Sequence, residues 1–253
     1  MTGRVHLQMG RVATLRLENP AKLNALTGAM VAELEAHVAT VERADDVRAV
    51  VLCAAPAKAF CAGADIAEWS ALSPVDFARH WVREGHRVFD RLAHLSKPTV
   101  AAIGAHAFGG GLELAACCDI RVMAERATLA LPEASVGIVP GWSGTQRVAR
   151  LLPEPVVREM ALFGRRIGAE RALSLGFCAE IAPDVEVAAF ALADAAAALS
   201  PRAVEVAKAM ITAGAGEDRA ALIEALGSGM VGATADRAEG VAAFLEKRAP
   251  DFS

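Results

Sequence analysis

Alternation of apolar and polar residues opens the chain and predicts a β-hairpin. Apolar side chains recur at alternate positions between residues 5 and 9 and again between 12 and 17, on either side of Gly10. Because successive side chains of a strand point to opposite faces, this pattern is typical of two half-buried strands joined by a turn. The segment NPAKLNAL at 19–26 follows as a predicted loop.

Helical spacing replaces the alternation after Thr27, which is a suitable N-cap for a helix that runs to about Arg43. The apolar run at 47–54 predicts a buried strand. Ser73-Pro74 combines a capping residue with a first-turn proline, which predicts a second helix to about His94. The side chains expected to face inward from this second helix are Phe77, Trp81, Val88 and Leu92.

The stretch between residues 97 and 147 carries the strongest chemical signal. A β-branched run at 99–103 predicts a strand, and three glycines at 109–111 precede an apolar segment, 112–118, that predicts a buried helix. Two acids have apolar neighbours, namely Glu113 inside this segment and Glu133 after Leu131-Pro132. Burying a carboxylate costs free energy, so both acids are candidates for a functional role.

The three glycines suit the close approach of a ligand to the backbone. Glycine has no Cβ, and the first N–H groups of a helix have no acceptor within it. Such groups can stabilise an oxygen that becomes negative during a reaction. Glu113 lies about one turn after Gly110, so both can face one cavity. A glycine-rich turn entering a core helix beside an unrelated acid explains the composition equally well. Neither a phosphate loop nor a GxGxxG dinucleotide motif is present.

Further short strands are predicted at 119–124 and 128–131, so that Glu133 falls at a strand end. The segment GIVPGWSG at 137–144 is predicted to be a loop, and the ring of Trp142 in it either bounds a ligand pocket or packs outward. Beyond residue 185 the patterns predict helices only. Helices of this kind must pack back on the chain or on another subunit to cover their apolar faces.

Composition narrows the class of protein. With 253 residues, 54% of them hydrophobic, the chain can bury a large core. A net charge of −4 argues against a nucleic-acid surface. The five cysteines contain no CxxC pair and are expected to be reduced thiols of a cytoplasmic protein. No stretch reaches membrane-spanning length, no targeting segment is recognised, and His80, His86, His94 and His106 form no metal-binding motif.

Four segments together resemble the enoyl-CoA hydratase/isomerase (crotonase) family over essentially the whole chain. They are AFCAGADI at 59–66, KPTVAAIGAHAFGGGLELAACCDI at 97–120, PEASVGIVPGWSGTQR at 132–147 and EGVAAFLEKRAPDF at 239–252. The resemblance implies an α/β fold, a spiral of repeated ββα units over 1–195. It also implies a helical region at 196–253 that forms a homotrimer or a hexamer, as a dimer of trimers. No sequence-level repeat is visible.

The resemblance also implies the chemistry of the site. The backbone N–H groups of Ala64 and Gly110 would hold the thioester carbonyl of an enoyl-CoA, Glu113 would activate a water, and Glu133 would protonate Cα. Coenzyme A would belong to the substrate, and no separate cofactor or metal is expected. The residues implied in substrate or coenzyme A binding are Lys22, Leu23, Ala62, Asp65, Ile66, Gly109, Trp142, Phe244 and Lys247.

Other functions stay open at this level. Lys22 is also a plausible solvated lysine, and Asp65 is expected to cap the turn that follows it. Ala67 occupies a position where hydratases of the family often carry a basic residue, which weakens the expected phosphate contact. Loop 137–145 lacks the aspartate of the dehalogenases, and the chain has no tyrosine for a hydroxycinnamoyl substrate. A double-bond isomerase and a non-catalytic thioester-binding homologue remain as alternatives to the hydratase.

Overall fold

The computed structural model describes residues 3–252, and the hairpin predicted from the first residues forms one edge of its larger sheet. The six strands of this sheet have the order β1-β2-β3-β5-β7-β10, in which only the β1–β2 pair is antiparallel. Their bounds are β1 (Arg4–Gln8), β2 (Val12–Glu18), β3 (Ala49–Ala54), β5 (Thr99–Ile103), β7 (Ile120–Met123) and β10 (Glu180–Ile181).

A smaller sheet takes the strands that lie between those of the larger one in the sequence. Its order is β4-β6-β8-β9, parallel except for the β8–β9 pair. Its strands are β4 (Ala59–Cys61), β6 (His106–Phe108), β8 (Thr128–Ala130) and β9 (Ile167–Gly168). Each successive strand pair, β3–β4, β5–β6 and β7–β8, therefore contributes one strand to each sheet before the chain turns into helix. This arrangement confirms the predicted spiral of ββα units.

Helices follow the strand pairs and make up the rest of the chain. In order they are α1 (Gly28–Arg43), α2 (Ile66–Trp69), α3 (Pro74–Asp76), α4 (Arg83–Ala93), α5 (Gly110–Ala115), α6 (Arg147–Leu151), α7 (Glu154–Phe163), α8 (Ala169–Ser174), α9 (Val185–Ala197), α10 (Pro201–Gly214), α11 (Arg219–Gly232) and α12 (Ala235–Glu246). The prediction that only helices follow residue 185 is confirmed for the described residues.

The core lies around the central strands of the larger sheet. Every residue of β5 is buried, and so is every residue of β3 except Ala54. Both strands are continuous apolar runs because helices such as α9 cover the sheet. At the start of α1 the hydroxyl of Thr27 accepts a hydrogen bond from the Met30 N–H, which confirms the predicted cap.

The helix predicted from Ser73 to His94 forms, but its middle is not α-helical. A π-helical segment, Phe77–Val82, separates α3 from α4, and the Arg83 N–H bonds to the carbonyl of Ala78, five residues earlier. Val88 and Leu92 are buried as predicted. A π-turn changes the direction of the side chains it contains, so Phe77 and Trp81 are only partly buried in the core.

The described chain divides into two compact units between Glu205 and Val206. This boundary falls inside α10, later than the one predicted between residues 195 and 196. Within the second unit, Ala213 and Ala243 are the buried apolar residues among those described. Large apolar side chains of the same unit are exposed, namely Met210, Ile211, Ile223, Leu226, Met230, Val231, Val241, Phe244, Leu245 and Phe252.

Candidate active site

A cavity of about 150 Å³ gathers most of the residues that the sequence singled out. Loop 62–66, the start of α5, the turn after β8 and loop 138–142 surround it. The predicted site residues that line it are Ala62, Ala64, Ile66, Gly109, Gly110, Glu113, Glu133 and Trp142. A larger and more open depression of about 1010 Å³ lies elsewhere, between the ends of β3, β5 and β7 and helix α9, and neither glutamate lines it.

Glu113 is held firmly in the wall of this cavity. It lies in the first turn of α5, is 3% exposed, and its Oε1 accepts hydrogen bonds from the N–H groups of Trp142 at 2.8 Å and Gly144 at 2.6 Å. Burial and the nearby charge of Glu133 raise its pKa to about 7, although these two hydrogen bonds and the charge of Arg147 favour the ionised form. The carboxyl group is therefore poised to exchange a proton near neutral pH.

Glu133 lines the same cavity in a different environment. It begins a 3₁₀ turn, Glu133–Val136, directly after β8, and it is 8% exposed. Its Oε2 is buried and has no hydrogen-bond partner among residues 3–252. Burial raises the pKa of this carboxyl group. A buried oxygen without a partner is costly, so Oε2 is available to a group that enters the cavity.

Ala64 and Gly110, whose backbone N–H groups were singled out from the sequence, both line the cavity. The bridge between Leu26 and Ala64 uses the Gly63 carbonyl and the Asp65 N–H, which leaves the Ala64 N–H outside the ladder. Gly110 is the first residue of α5, so its N–H has no acceptor inside the helix. A Cβ on Gly110 would lie 3.5 Å from the Ala64 nitrogen, which shows how close the two amides are.

Gly109 and Gly144 keep the two carboxyl groups in place. A Cβ on Gly109 would lie 2.8 Å from Glu133 Oε1, and one on Gly144 would lie 2.8 Å from Glu113 Oε1. Gly109 also has φ +51°, a conformation that favours glycine. The helix predicted at 112–118 accordingly begins earlier, at Gly110, and ends at Ala115.

The ring of Trp142 lines the cavity and is buried, which corrects the interpretation that it packs outward. It is 3% exposed and lies against the rings of Trp81 and Phe89, with centroid distances of 5.6 and 5.0 Å. Its Nε1 donates to the Trp81 carbonyl at 3.3 Å. Trp69 and Trp81 line the cavity too, so all three tryptophans of the chain meet there. Sequence spacing gave no indication of this clustering.

Three predicted binding residues of the first unit, Lys22, Leu23 and Asp65, lie outside the cavity lining. Lys22 forms an ion pair with Asp65, and its side chain is half exposed. Asp65 also accepts a hydrogen bond from the Ala67 N–H, which confirms it as the cap of α2. Leu23 is 42% exposed with φ +55°, and its carbonyl accepts the Ala62 N–H. These contacts fasten loop 59–66 to the loop that precedes α1.

Phe244 and Lys247, the two predicted binding residues of the second unit, are exposed, and the Phe244 ring is 82% accessible. Lys247 ends α12 with φ +54°. Both residues belong to the second compact unit.

The cysteines and His106 lie outside the lining of this cavity. All five cysteines are buried. No cluster of His, Cys, Asp or Glu suited to a metal ion occurs among residues 3–252. His106 bonds Thr128 Oγ1 at 2.9 Å and stacks on Phe108.

Within the described chain no single helix is long and apolar enough to cross a membrane. Helices α9 and α10, bent by 108°, are long and apolar enough only when they are taken as a pair.

A network behind Glu113 was not found from the sequence. Ser143, between the two N–H donors to Glu113, has φ +82° and is 5% exposed. Non-glycine residues rarely adopt this conformation. Its Oγ lies 3.3 Å from Nδ1 of His86, whose Nε2 lies 3.2 Å from Asp90 Oδ2. Asp90 Oδ1 accepts from the buried guanidinium of Arg147. Ser143 is 57 residues from His86, and Arg147 is 57 residues from Asp90, so only the fold reveals these contacts.

Comparison with known proteins gives a consistent result. The pattern described as "Enoyl-CoA hydratase/isomerase" matches residues 8–253. The short-chain-enoyl-CoA hydratase of Clostridium acetobutylicum is 33% identical over 94% of this chain and 93% of its own length. The crotonyl-CoA hydratase of Syntrophomonas wolfei is 35% identical over 96% and 94%. The crystal structure of an enoyl-CoA hydratase from Bacillus anthracis superposes with a TM-score of 0.81 at 34% identity, covering 100% of this chain and 99% of that one.

Proposed function

Since the chain belongs to the enoyl-CoA hydratase/isomerase family, we propose that it is an enoyl-CoA hydratase, which adds water across the 2,3 double bond of a 2-enoyl-CoA. The observation that carries the proposal is the meeting of two buried carboxyl groups and two available backbone N–H groups in one cavity. The product is the 3-hydroxyacyl-CoA thioester.

The two amides would act on the thioester carbonyl. In the proposed complex the carbonyl oxygen accepts hydrogen bonds from the N–H groups of Ala64 and Gly110. When a nucleophile adds at Cβ, the π electrons of the double bond move toward this oxygen, which becomes negative. Loss of one such donor typically lowers the rate by about 10²–10³.

The two carboxyl groups would supply the protons. Ionised Glu113 takes a proton from a water held between the acids, and the water oxygen forms a bond to Cβ. Protonated Glu133 gives its proton to Cα, so that H and OH are added in total. A proton transfer from Glu113 back to Glu133 restores the starting state. Burial raises the pKa of both groups, to about 7 for Glu113, which supports this exchange. Because the two acids interact, they titrate as a pair.

The presence of both acids favours hydration over double-bond isomerisation. A single positioned carboxylate suffices to move a proton between two carbons, whereas addition of water uses one base and one acid. The two relatives named above are called hydratases, which supports the same choice. No cofactor apart from the coenzyme A of the substrate is part of the proposal.

The binding of coenzyme A is proposed to involve two regions. Lys22, Leu23, Asp65 and Ile66 border the loop that carries Ala64, and they would contact the coenzyme near the thioester. Phe244 and Lys247 would contact its adenine from a neighbouring subunit of a cytoplasmic homotrimer or hexamer. Truncation after residue 232 should then give a smaller or aggregated species with weak affinity for coenzyme A. An unchanged oligomer of unchanged affinity would contradict this part of the proposal.

A spectrophotometric assay tests the reaction. Loss of the enoyl-thioester absorbance would be followed with a panel of 2-enoyl-CoAs, and a 3-enoyl-CoA would be supplied in parallel. Rapid loss with the 2-enoyl substrates, together with formation of 3-hydroxyacyl-CoA by mass spectrometry, is the expected result. Conversion of the 3-enoyl-CoA to the 2-enoyl isomer without any hydration would identify an isomerase instead, and binding without turnover of either substrate would identify a non-catalytic homologue.

A further inference from the structure

The backbone around Ser143 is the least favourable part of the candidate site, and it is also the part that holds Glu113. The two N–H groups that donate to Glu113 Oε1 belong to Trp142 and Gly144, the residues on either side of Ser143. Both groups can point in one direction because Ser143 has φ +82°. A serine does not keep this conformation unaided, so neighbouring groups must stabilise it.

The groups that contact Ser143 come from α4 and α6. Its hydroxyl lies 3.3 Å from His86 Nδ1, and its carbonyl accepts the N–H of Arg147 at 2.8 Å. Asp90 connects these two contacts because its Oδ2 lies 3.2 Å from His86 Nε2 and its Oδ1 accepts from Arg147. The Ser143 hydroxyl lies almost equally far from both ring nitrogens, 3.3 Å from Nδ1 and 3.5 Å from Nε2, so it packs against the His86 ring, whose Nε2 also faces the Asp90 carboxylate.

We propose that His86, Asp90 and Arg147 form a positioning unit for the proposed general base. By fixing Ser143 in its left-handed conformation, the unit keeps both neighbouring N–H groups on Glu113 Oε1. None of the three residues lines the cavity that contains Glu113 and Glu133. The inference rests on the proposed function only in naming Glu113 as the base.

A hydrolytic role for the same residues does not fit the geometry. The contacts of Ser143 with His86 and of His86 with Asp90 have the same sequence of side chains as a serine–histidine–aspartate triad. A nucleophile must face its substrate, however, and the cavity is lined by Gly141 and Trp142 but not by Ser143. The Ser143 side chain is buried against α4, where His86 occupies its hydroxyl. The unit therefore supports the loop and does not attack a thioester.

Arg147 has a second effect, through its charge. The charged or titratable groups that influence Glu113 are Glu133 from the turn after β8 and Arg147 from α6. Cys117 follows α5, about one helical turn after Glu113. Its thiol donates to the Glu113 carbonyl at 3.2 Å. Of these groups Arg147 favours the ionised form of Glu113. Loss of its charge should raise the pKa of Glu113 and move the acid limb of the kcat/KM profile to higher pH.

The first test is a double-mutant cycle between Asp90 and Ser143. Asp90→Asn offers one acceptor where two are needed, and we expect kcat to fall by about tenfold to 10² with KM changed by less than about threefold, because a misplaced base slows only the chemical step. Glycine adopts φ +82° freely, so Ser143→Gly should cost less than Asp90→Asn and should restore most of the lost kcat when the two are combined. Additive losses in the double variant would overturn the proposal.

The second test separates the charge from packing. Arg147→Gln is compared with Arg147→Lys, which keeps the charge, and with Arg121→Gln as a control. Arg121 is as buried as Arg147, and it donates to the carbonyls of Phe177 and Cys118. We expect the acid limb to move upward in Arg147→Gln and much less in Arg147→Lys. Arg121→Gln should lower Tm and leave the limb in place. Equal limb positions in Arg147→Gln and the wild type would overturn the charge effect. The lysine variant and Asp90→Asn, whose site is half exposed, keep the test available if Arg147→Gln does not fold.

A measurement that needs no turnover keeps the outcome independent of the proposed reaction. The titration of Glu113 can be followed by ¹³C NMR of carboxyl-labelled glutamate, with Glu113→Gln used to assign the signal. The signal should titrate at higher pH in Arg147→Gln than in the wild type. If the wild type does not hydrate enoyl-CoAs but the Glu113 signal shifts in this way, the charge effect of Arg147 stands and the proposed function fails. If the wild type hydrates enoyl-CoAs but the signal does not shift, the charge effect of Arg147 fails and the proposed function stands.

Discussion

Glu113 and Glu133 line one cavity, and their surroundings differ in almost every respect. Oε1 of Glu113 is held by two backbone N–H groups and lies near the charge of Arg147. Oε2 of Glu133 is buried and has no partner within residues 3–252. Burial raises the pKa of both groups, but only for Glu113 do hydrogen bonds from other residues and a cation act against it.

The difference suggests how one cavity can contain a base and an acid. Two backbone N–H groups hold Glu113 Oε1 in one orientation and, with the charge of Arg147, favour its ionised form against burial, which suits a fixed base. Glu133 has a buried Oε2 without a partner among residues 3–252, so this oxygen is available to deliver a proton to a group in the cavity. A substitution at one of the two acids, or in its surroundings, leaves the other acid as a reference.

Replacing either acid by its amide should have the largest effect. Glu113→Gln and Glu133→Gln each keep the shape of the side chain, and the amide oxygen at 113 can still accept the two N–H groups. Proton transfer is lost, so we expect hydration to fall by about 10²–10⁴ in both variants. The measurement is kcat/KM for crotonyl-CoA together with a melting curve. Full activity in either variant with normal melting would remove the hydratase assignment.

A matched pair of glycine variants should have the next largest effect. Gly144→Ala places a methyl group against Glu113 Oε1, and Gly109→Ala places one against Glu133 Oε1, each at 2.8 Å before adjustment. A displacement near 1 Å of a reacting group can lower the rate by about 10². We expect both variants to lose activity while the pH profile changes more for Gly144→Ala, because this change weakens the grip on Glu113. Gly137→Ala is a control with φ +76° and open space around the new methyl group.

Much of this arrangement could be predicted from the residues, for physical reasons that differ between elements. The hairpin, the capped helix α1 and the apolar strand β3 follow from local periodicity and capping, which a single sequence contains. Glu113 and Glu133 were visible because acids among apolar residues are costly. The contacts of Ser143 with His86 were not visible, because they join loops and helices that only the tertiary fold brings together.

Trp142 shows the same limit in one residue. Its identity suggested either a pocket wall or outward packing, and the structure places the ring both in the wall and in the core. The π-helical segment that presents Trp81 to it was not predicted either. A π-turn leaves no distinct periodicity in a short stretch, so its presence depends on packing rather than on local sequence.

Trp142→Ala tests the role of the ring separately from the role of the backbone N–H group. The variant keeps the N–H group that holds Glu113 but removes a ring that fills the acyl side of the cavity, so we expect preference to move from short toward longer acyl chains. Loss of a buried ring should also lower the free energy of unfolding by about 3–5 kcal/mol. The measurements are kcat/KM for C4, C8 and C12 enoyl-CoAs and a denaturant titration. A loss of stability with an unchanged order of preference would assign the ring to packing alone.

The smallest predicted effect concerns stability and pH, and it tests the environment of Glu113 without substrate. The pKa of Glu113 rises from 4.5 to about 7 in the folded chain, so folding favours the protonated form. The stability contributed by that proton is complete below pH 4.5 and is lost as the pH rises through 7. Glu113→Gln cannot ionise and loses nothing over this range. The variant should therefore gain up to about 3 kcal/mol of unfolding free energy relative to the wild type between about pH 4.5 and pH 8. Urea titrations at several pH values measure this difference, in which the other titrating groups largely cancel. In a Glu133→Gln background the pKa of Glu113 should fall, since a neighbouring negative charge is removed, and the gain should become smaller. A difference that stays constant with pH would mean that Glu113 is not buried as a shared proton site, and the contrast between the two acids would then lose its basis.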